Sequence, residues 1–139
     1  MPISVRNHNR DSAFRAVCAA AVSAGQLVGL NASGQLVLAD ADAATPIEAV
    51  GFALENGVAG DTIGVAQIGR LEDPSWSWTP GARLFVSGTA GAFTATAPSA
   101  VGNIVQPVAR ALSATKVAVN VQLALAKVQA SGSTTVAFL

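Results

Sequence analysis

A strand, a glycine-bearing turn and a second strand form a short unit that occurs twice in this chain and constrains its fold most. The first copy is Ala24–Leu38, which has its turn at Gly34. The second begins with Thr79–Gly91, in which a Pro-Gly turn precedes the apolar run Leu84–Val86, and it continues into Ala92–Thr96. β-Forming runs joined by short glycine turns predict β-hairpins.

The similarity between the two copies continues beyond the hairpins. Each hairpin is followed by an apolar segment and then by a run in which apolar and polar residues alternate. The matched segments are Ile47–Leu54 with Val105–Leu112, and Thr62–Ile68 with Lys116–Leu123. Residues 25–68 and 81–123 are therefore predicted to be two diverged copies of one β unit. The alternative is that any all-β chain rich in Gly and Ala aligns with itself at some offset.

Length and turn spacing predict one all-β domain. A chain of 139 residues is the size of a single domain. Turn signals about every ten residues, with no need for a long amphipathic helix, predict a small β-barrel or sandwich. We place this domain at residues 13–139, after an extended N-terminal arm at residues 1–12 whose polar composition does not favour order by itself.

Several segments carry more detailed predictions. Residues 13–21 are predicted to be a strand, with Phe14, Cys18 and Val22 on one face, although helix propensity alone would also permit a helix. Residues 69–80 are predicted to be a connection, and Thr134–Leu139 a final strand that pairs with an edge of the same or an adjacent subunit. Alternation over Lys116–Ala126 predicts a buried face. That face comprises Val117, Val119, Val121, Leu123 and Leu125.

Charge is scarce and unevenly distributed. Only 12% of the residues are charged and the net charge is zero. Residues 1–17 carry +2, residues 18–73 carry −6 and residues 74–139 carry +4. Either the two β units neutralise each other within the domain, or neighbouring subunits attract each other head to tail. No stretch is rich enough in Lys, Arg and aromatic residues to predict nucleic-acid binding, and none is apolar over a membrane-spanning length.

The sequence contains no pattern that predicts catalysis, a metal or a cofactor. The single histidine, His8, lies in the arm, and Cys18 lies in an apolar run that predicts a buried thiol. One Cys and one His cannot form a zinc site. Asp40 and Asp42 could contact a cation, but a solvated acidic loop is the simpler interpretation. We therefore predict a protein that is not an enzyme.

Trp76 and Trp78 are two residues apart, so in an extended backbone they face the same side. Three interpretations are open: the indoles cover the core, they anchor a protein interface where Trp is enriched, or they stack on a sugar.

The glycine-centred motifs of both copies resemble those of tailed-phage head-decoration proteins, which stabilise capsids, and of related head-fibre and tail-fibre modules. The motifs are VGFA at residues 50–53 and AGD at residues 59–61. The second copy departs from the pattern, with VARA at residues 108–111. The resemblance implies a small β-barrel or β-tulip-like sandwich that forms homotrimers on the outer capsid surface, with an N-terminal arm that joins the major capsid protein.

The resemblance thus leads to the prediction of a structural protein of the virion, located on the outer capsid surface and in the host cytoplasm during assembly. A host- or glycan-binding module of a phage fibre is the alternative. The expected partners are the major capsid protein and further copies of the chain, and not nucleic acid or a membrane. The predicted interface residues are Ile3, Val5, Arg6, Arg10, Trp76, Trp78, Val136 and Phe138. For the arm, a tail without a role is the alternative.

Overall fold

Every element of secondary structure in the described part of the protein is a β-strand. The computed structural model describes residues 13–121, and the backbone of residues 125–128 and 134–137. The all-β prediction is confirmed, with thirteen strands there and no helix, and hence no helix that could cross a membrane. The strands are β1 Ala13–Val17, β2 Leu27–Leu30, β3 Leu36–Leu38, β4 Gly51–Ala53, β5 Thr62–Ala66, β6 Ile68–Glu72, β7 Arg83–Val86, β8 Phe93–Thr94, β9 Ile104–Val105, β10 Pro107–Ala111, β11 Lys116–Asn120, β12 Leu125–Val128 and β13 Thr134–Ala137.

Two five-stranded sheets have the same topology. The first sheet has the order β1-β5-β4-β2-β3 and the second has the order β6-β11-β10-β7-β8. Each runs through the first, fifth, fourth, second and third strand of its unit, because β9 belongs to a separate sheet. All strand pairs within the two sheets are antiparallel. The two sheets are therefore two copies of one strand arrangement, and each copy includes a first strand, β1 or β6, that lies almost entirely before the unit inferred from the sequence.

Equivalent residue pairs define the correspondence between the two units. Leu27 lies opposite Phe52 in the first sheet, and Leu84 lies opposite Ala109 in the second, so both positions shift by 57 residues. The predicted hairpins are β2–β3 and β7–β8. Their turn glycines, Gly34 and Gly91, have φ angles of 76° and 78°, a region that glycine occupies without the steric cost of a side chain.

The first sheet curls towards a closed barrel. Cys18, directly after β1, forms a parallel bridge with Leu36 of β3, and the Ala19 amide donates to the Leu36 carbonyl at 2.9 Å. The interior contains Cys18 and Val22, as the sequence predicts, together with Ile63. Phe14 does not share this buried face: its side chain is 38% exposed, because it lies in the terminal strand β1, where four of the five residues are exposed.

The second hydrophobic core lies between the two sheets. Leu27 and Phe52 of the first sheet pack there with Leu84 and Val108 of the second. Three residues of the predicted β11 face, at positions 117, 119 and 121, are buried in the same core and confirm that part of the prediction. Leu123 lies outside the described residues, and for Leu125 the structure describes only the backbone.

One buried side chain of the second unit forms hydrogen bonds with the backbone of the first unit. Gln106 is fully buried, and its Oε1 accepts a hydrogen bond from the Ala49 amide at 2.7 Å. Its Nε2 donates to the Ala49 carbonyl at 2.8 Å. Gln106 lies 57 residues after Ala49, so the two residues occupy equivalent places in the two units.

The predicted connection over residues 69–80 is wrong in its first part. The chain leaves the first sheet at the end of β5, passes through Gln67 alone, and enters the second sheet as β6. Gly69 of β6 interrupts the apolar pattern that would have predicted a strand. A Cβ at this position would lie 2.9 Å from the Phe52 ring, so glycine permits close packing between the sheets.

A small third sheet follows the second unit. β12 pairs with β9 on one side and with β13 on the other, all antiparallel. The predicted final strand is thus present as Thr134–Ala137 and pairs within its own chain.

Candidate functional site

The outer face of the second sheet carries three arginines in one row across its strands. Arg83 of β7 lies directly opposite Arg110 of β10, Arg110 lies opposite Ala118 of β11, and Ala118 lies opposite Arg70 of β6. Neighbouring strands are about 4.8 Å apart. The row therefore places two guanidinium groups side by side and the third about two strand spacings from Arg110. We call this set, with Ala118, the arginine row.

None of the three guanidinium groups has an ion pair or a hydrogen bond within the described part of the chain. All three are exposed. Like charges directly opposite each other destabilise a sheet by a few tenths of a kcal/mol, as between Arg83 and Arg110. The nearest carboxylate in the strand register is Glu72, which lies opposite Lys116 rather than an arginine. The face is therefore basic, and its positive charges are available to a partner.

The arginine row borders a shallow depression in the sheet. Its volume is about 480 Å³, and it is lined by Arg83, Arg110, Pro107, Ala118 and Asn120. A register shift between Pro107 and Ala109 shapes it, since the extra residue Val108 is directed into the core. The depression offers small and polar side chains between the charged groups, a surface that suits another protein or an extended chain.

Trp76 and Trp78 form an aromatic cluster with Phe93. The two indole centroids are 6.0 Å apart, and the Phe93 ring packs edge-on against Trp76 at 5.9 Å. Both indoles are half-buried and contact the core between the sheets, which agrees with a core-covering role. The Trp78 Nε1 is buried and has no hydrogen-bond partner among the described residues.

A second cavity lies beside this aromatic cluster. It has a volume of about 610 Å³, and its wall includes all three aromatic rings, Glu72 and Asp73. The Ser75 amide and hydroxyl donate to Asp73 Oδ1 at 2.9 Å and 2.8 Å, and these bonds lower the pKa of Asp73. An ionised carboxylate beside aromatic faces could accept hydrogen bonds from hydroxyl groups of a ligand.

The remaining acidic groups lie mainly on the first unit. A hydrogen bond with the Asp40 side chain is the main cause that raises the pKa of Asp42, and desolvation adds to it. Burial raises the pKa of Glu48. Among the described residues, no group of three His, Cys, Asp or Glu side chains is placed to hold a metal ion.

The buried thiol of Cys18 faces the barrel interior. Desolvation raises the pKa of Cys18, and the negative charges of Asp61 and Glu55 raise it further. The thiol therefore stays protonated and weakly reactive in the folded protein, because the thiolate is the reactive form.

Only part of the predicted interface falls within the described residues. Trp76 and Trp78 lie together, as their spacing predicts. Of Val136 the structure describes only the backbone, in β13. The other predicted interface residues lie outside the described part of the chain: Ile3, Val5, Arg6, Arg10 and Phe138.

No protein-family model matches the chain, and the search of curated proteins finds no match. The resemblance to phage decoration proteins therefore stays a prediction.

Sequence reasoning missed the arginine row. Arg70, Arg83 and Arg110 are far apart in the sequence, and only strand register brings them together. The one available signal was the excess of positive charge after residue 73, which includes Arg83 and Arg110 but not Arg70 and gives no location on one face.

Proposed function

We propose that this chain is a non-enzymatic structural protein of a phage virion that binds the outer capsid surface and stabilises the shell. Its partners in this proposal are the major capsid protein and two further copies of itself, in a homotrimer, with no role for nucleic acid or a membrane. It would be located on the outer capsid surface, and in the host cytoplasm during assembly. The resemblance of residues 50–53 and 59–61 to decoration proteins supports the proposal, together with the all-β architecture.

The observation that carries the proposal is the arginine row on an exposed sheet face. A sheet face that holds unpaired guanidinium groups in fixed register is suited to carboxylates on another folded surface. Capsid binding by such a face would be salt-dependent, because exposed charge pairs are screened. Each subunit would make a modest contact, and a trimer would multiply the contacts without any new chemistry.

The test measures binding to expanded capsids and the temperature at which decorated capsids rupture. Arg83→Gln and Arg110→Gln together should weaken capsid binding at least about tenfold, as expected for the loss of two charge contacts of about 0.7 kcal/mol each. Arg15→Gln is the matched control, because it removes the same charge from β1 of the first unit. Equal effects of the double variant and the control would refute a role for the row. Undecorated capsids at saturating protein would refute the proposed function.

The predicted arm and final strand enter the same test. In the proposal, Ile3 and Val5 contact the capsid protein and Arg6 and Arg10 meet its acidic groups, so deletion of residues 2–11 should reduce capsid binding but not the melting temperature. Truncation after Ala130 should lower either the stability or the trimer content, the latter measured by sedimentation. Full decoration by the deleted protein would show that the arm is a tail without a role, and unaltered sedimentation would remove the final strand from the interface.

The cavity beside Trp76 and Trp78 favours a second candidate, a glycan- or host-binding module of a phage fibre. Aromatic rings together with Asp73 are the residue types that hold a sugar, since the rings stack on its apolar face and the carboxylate accepts hydroxyl hydrogen bonds. Glycan binding that quenches tryptophan fluorescence and is lost in Trp76→Ala would favour this function. Capsid binding that persists in the same variant would favour decoration.

A further inference from the structure

The outer edge of β6 is an open sheet edge. Val121 N donates to Gln67 O, and Asp73 N donates to Thr115 O, both at 3.0 Å. In an antiparallel pair, hydrogen-bonded residues alternate with residues whose N–H and C=O point away from the partner strand. The odd-numbered residues of β6 therefore bond to β11, and the backbone groups of Ile68, Arg70 and Glu72 point to the open side.

No described residue occupies this edge. β6 is the terminal strand in the order of its sheet, and no hydrogen bond to the backbone of Ile68, Arg70 or Glu72 is found within the described part of the chain. A row of unpaired N–H and C=O groups on an exposed strand is a template for another extended chain.

The first unit covers only the end of its equivalent edge. β1 is the equivalent of β6 and is likewise terminal in its sheet, but Cys18, directly after β1, forms a bridge with Leu36 of β3, and Ala19 N donates to Leu36 O. In the second unit the equivalent of β3 is β8, which has only two residues and pairs with β7 alone. The bridge at the end of β1 therefore has no counterpart among the described residues of the second unit, and along β6 itself the edge is open.

The charge next to this edge selects the kind of strand that fits. Arg70 is the end of the arginine row and lies on the open strand itself. A strand added to β6 would extend the row by one position, and the side chain opposite Arg70 would lie about 5 Å from it. A carboxylate there would be the first negative charge in a row that otherwise contains only Ala118 and three arginines.

We propose that the edge of β6 binds an extended segment of a partner polypeptide as an added strand, with an Asp or Glu side chain opposite Arg70. The backbone of Ile68, Arg70 and Glu72 provides the hydrogen bonds, and Arg70 provides the selection. The inference goes beyond the proposed function, because it specifies a mode of binding that a peptide alone can test.

Amide hydrogen exchange of the free protein is the first measurement. The amides of Ile68, Arg70 and Glu72 should exchange at least about tenfold faster than those of Gly69 and Leu71, which bond to β11. The odd-numbered amides on the same strand serve as the internal control. Equal protection of all five amides in the free protein would overturn the inference, since the edge would then already be occupied.

In the second measurement, a synthetic peptide of alternating Thr and Val with one central Asp is added to the protein up to millimolar concentration. NMR then reports the protection of the backbone amides of β6. Binding should protect the three even-numbered amides, and a peptide with Lys in place of Asp should bind at least about threefold more weakly, the factor that corresponds to a cross-strand pair of about 0.7 kcal/mol. Arg70→Glu should reverse this preference. No protection by either peptide, or protection without a charge preference, would overturn the inference, whatever the protein does on capsids.

Discussion

Replacement of Gln106 by leucine should destabilise the protein strongly, although leucine has a similar size and greater hydrophobicity. The Gln106 amide makes hydrogen bonds of 2.7 Å and 2.8 Å with the N–H and C=O of Ala49, and all of these groups are buried. The substitution leaves both backbone groups without this partner. Each buried group without a partner costs about 1–3 kcal/mol, so the two together cost about 2–6 kcal/mol.

Leucine offsets a small part of this cost. It nearly fills the volume of glutamine, so little cavity energy is added, and its burial contributes about 1 kcal/mol more than that of the glutamine side chain. A net loss of about 3 kcal/mol remains. For a chain of this size it corresponds to a melting temperature lower by roughly 9 °C.

The assay is urea unfolding followed by tryptophan fluorescence, because Trp76 and Trp78 pack on the core between the sheets. Gln67→Leu is the matched control: Gln67 is half-buried, and its side chain makes no hydrogen bond within the described residues. Its effect should stay within about 0.5 kcal/mol. If both variants unfold at the same urea concentration, the amide bridge does not hold the two units together.

Gln106→Glu makes the same bridge depend on pH. The protonated carboxyl can accept from the Ala49 amide and donate to the Ala49 carbonyl, whereas the ionised carboxylate can only accept. Burial raises the folded-state pKa of the new group above its unfolded value. The variant should therefore be most stable below the unfolded pKa, about 4.3, and should lose stability as the pH rises through the folded pKa. A pH-independent difference from the wild type would contradict this account.

Two further predictions concern close packing and a buried carboxylate. Gly51→Ala should lower the free energy of unfolding in urea by about 1–3 kcal/mol, because the new Cβ would lie 2.6 Å from Ala66 O. Gly64→Ala is the control, since the nearest atom there is the flexible Leu54 Cδ1 at 3.1 Å. A smaller loss for Gly51→Ala than for Gly64→Ala would refute the packing argument. Burial raises the pKa of Glu48, whose Oε2 has no hydrogen-bond partner in the described part of the chain. Its contribution to stability is therefore present below the unfolded pKa and lost as pH rises through the folded pKa. Glu48→Gln should then unfold at a higher urea concentration than the wild type at pH 7 but not at pH 3, and an equal change at both values would refute the burial argument.

The hairpins and the buried β11 face could be predicted because their signals are local. Gly34 and Gly91 mark turns that need a positive φ, and the alternation at residues 117, 119 and 121 directly specifies one buried face. These features depend on neighbouring residues in the sequence, and the duplicated pattern doubled the evidence for them.

The features that join distant segments could not be predicted in this way. β6 was missed because Gly69 sits where the Phe52 ring packs, and nothing in the local sequence indicates that ring. The function of Gln106 depends on the position of Ala49 in the other unit. The arginine row similarly depends on the register of four strands.

The bond between Gln106 and Ala49 also makes the two halves of the protein complementary rather than interchangeable. The two residues occupy equivalent places, and both are fully buried at the junction. A chain built from two copies of the first unit would have alanine at both places and no amide to pair with the backbone. A chain built from two copies of the second unit would bring two glutamines into the space that holds one. Because the residues at these two equivalent positions differ, each unit is suited to pack against the other unit of the same chain rather than against a copy of itself.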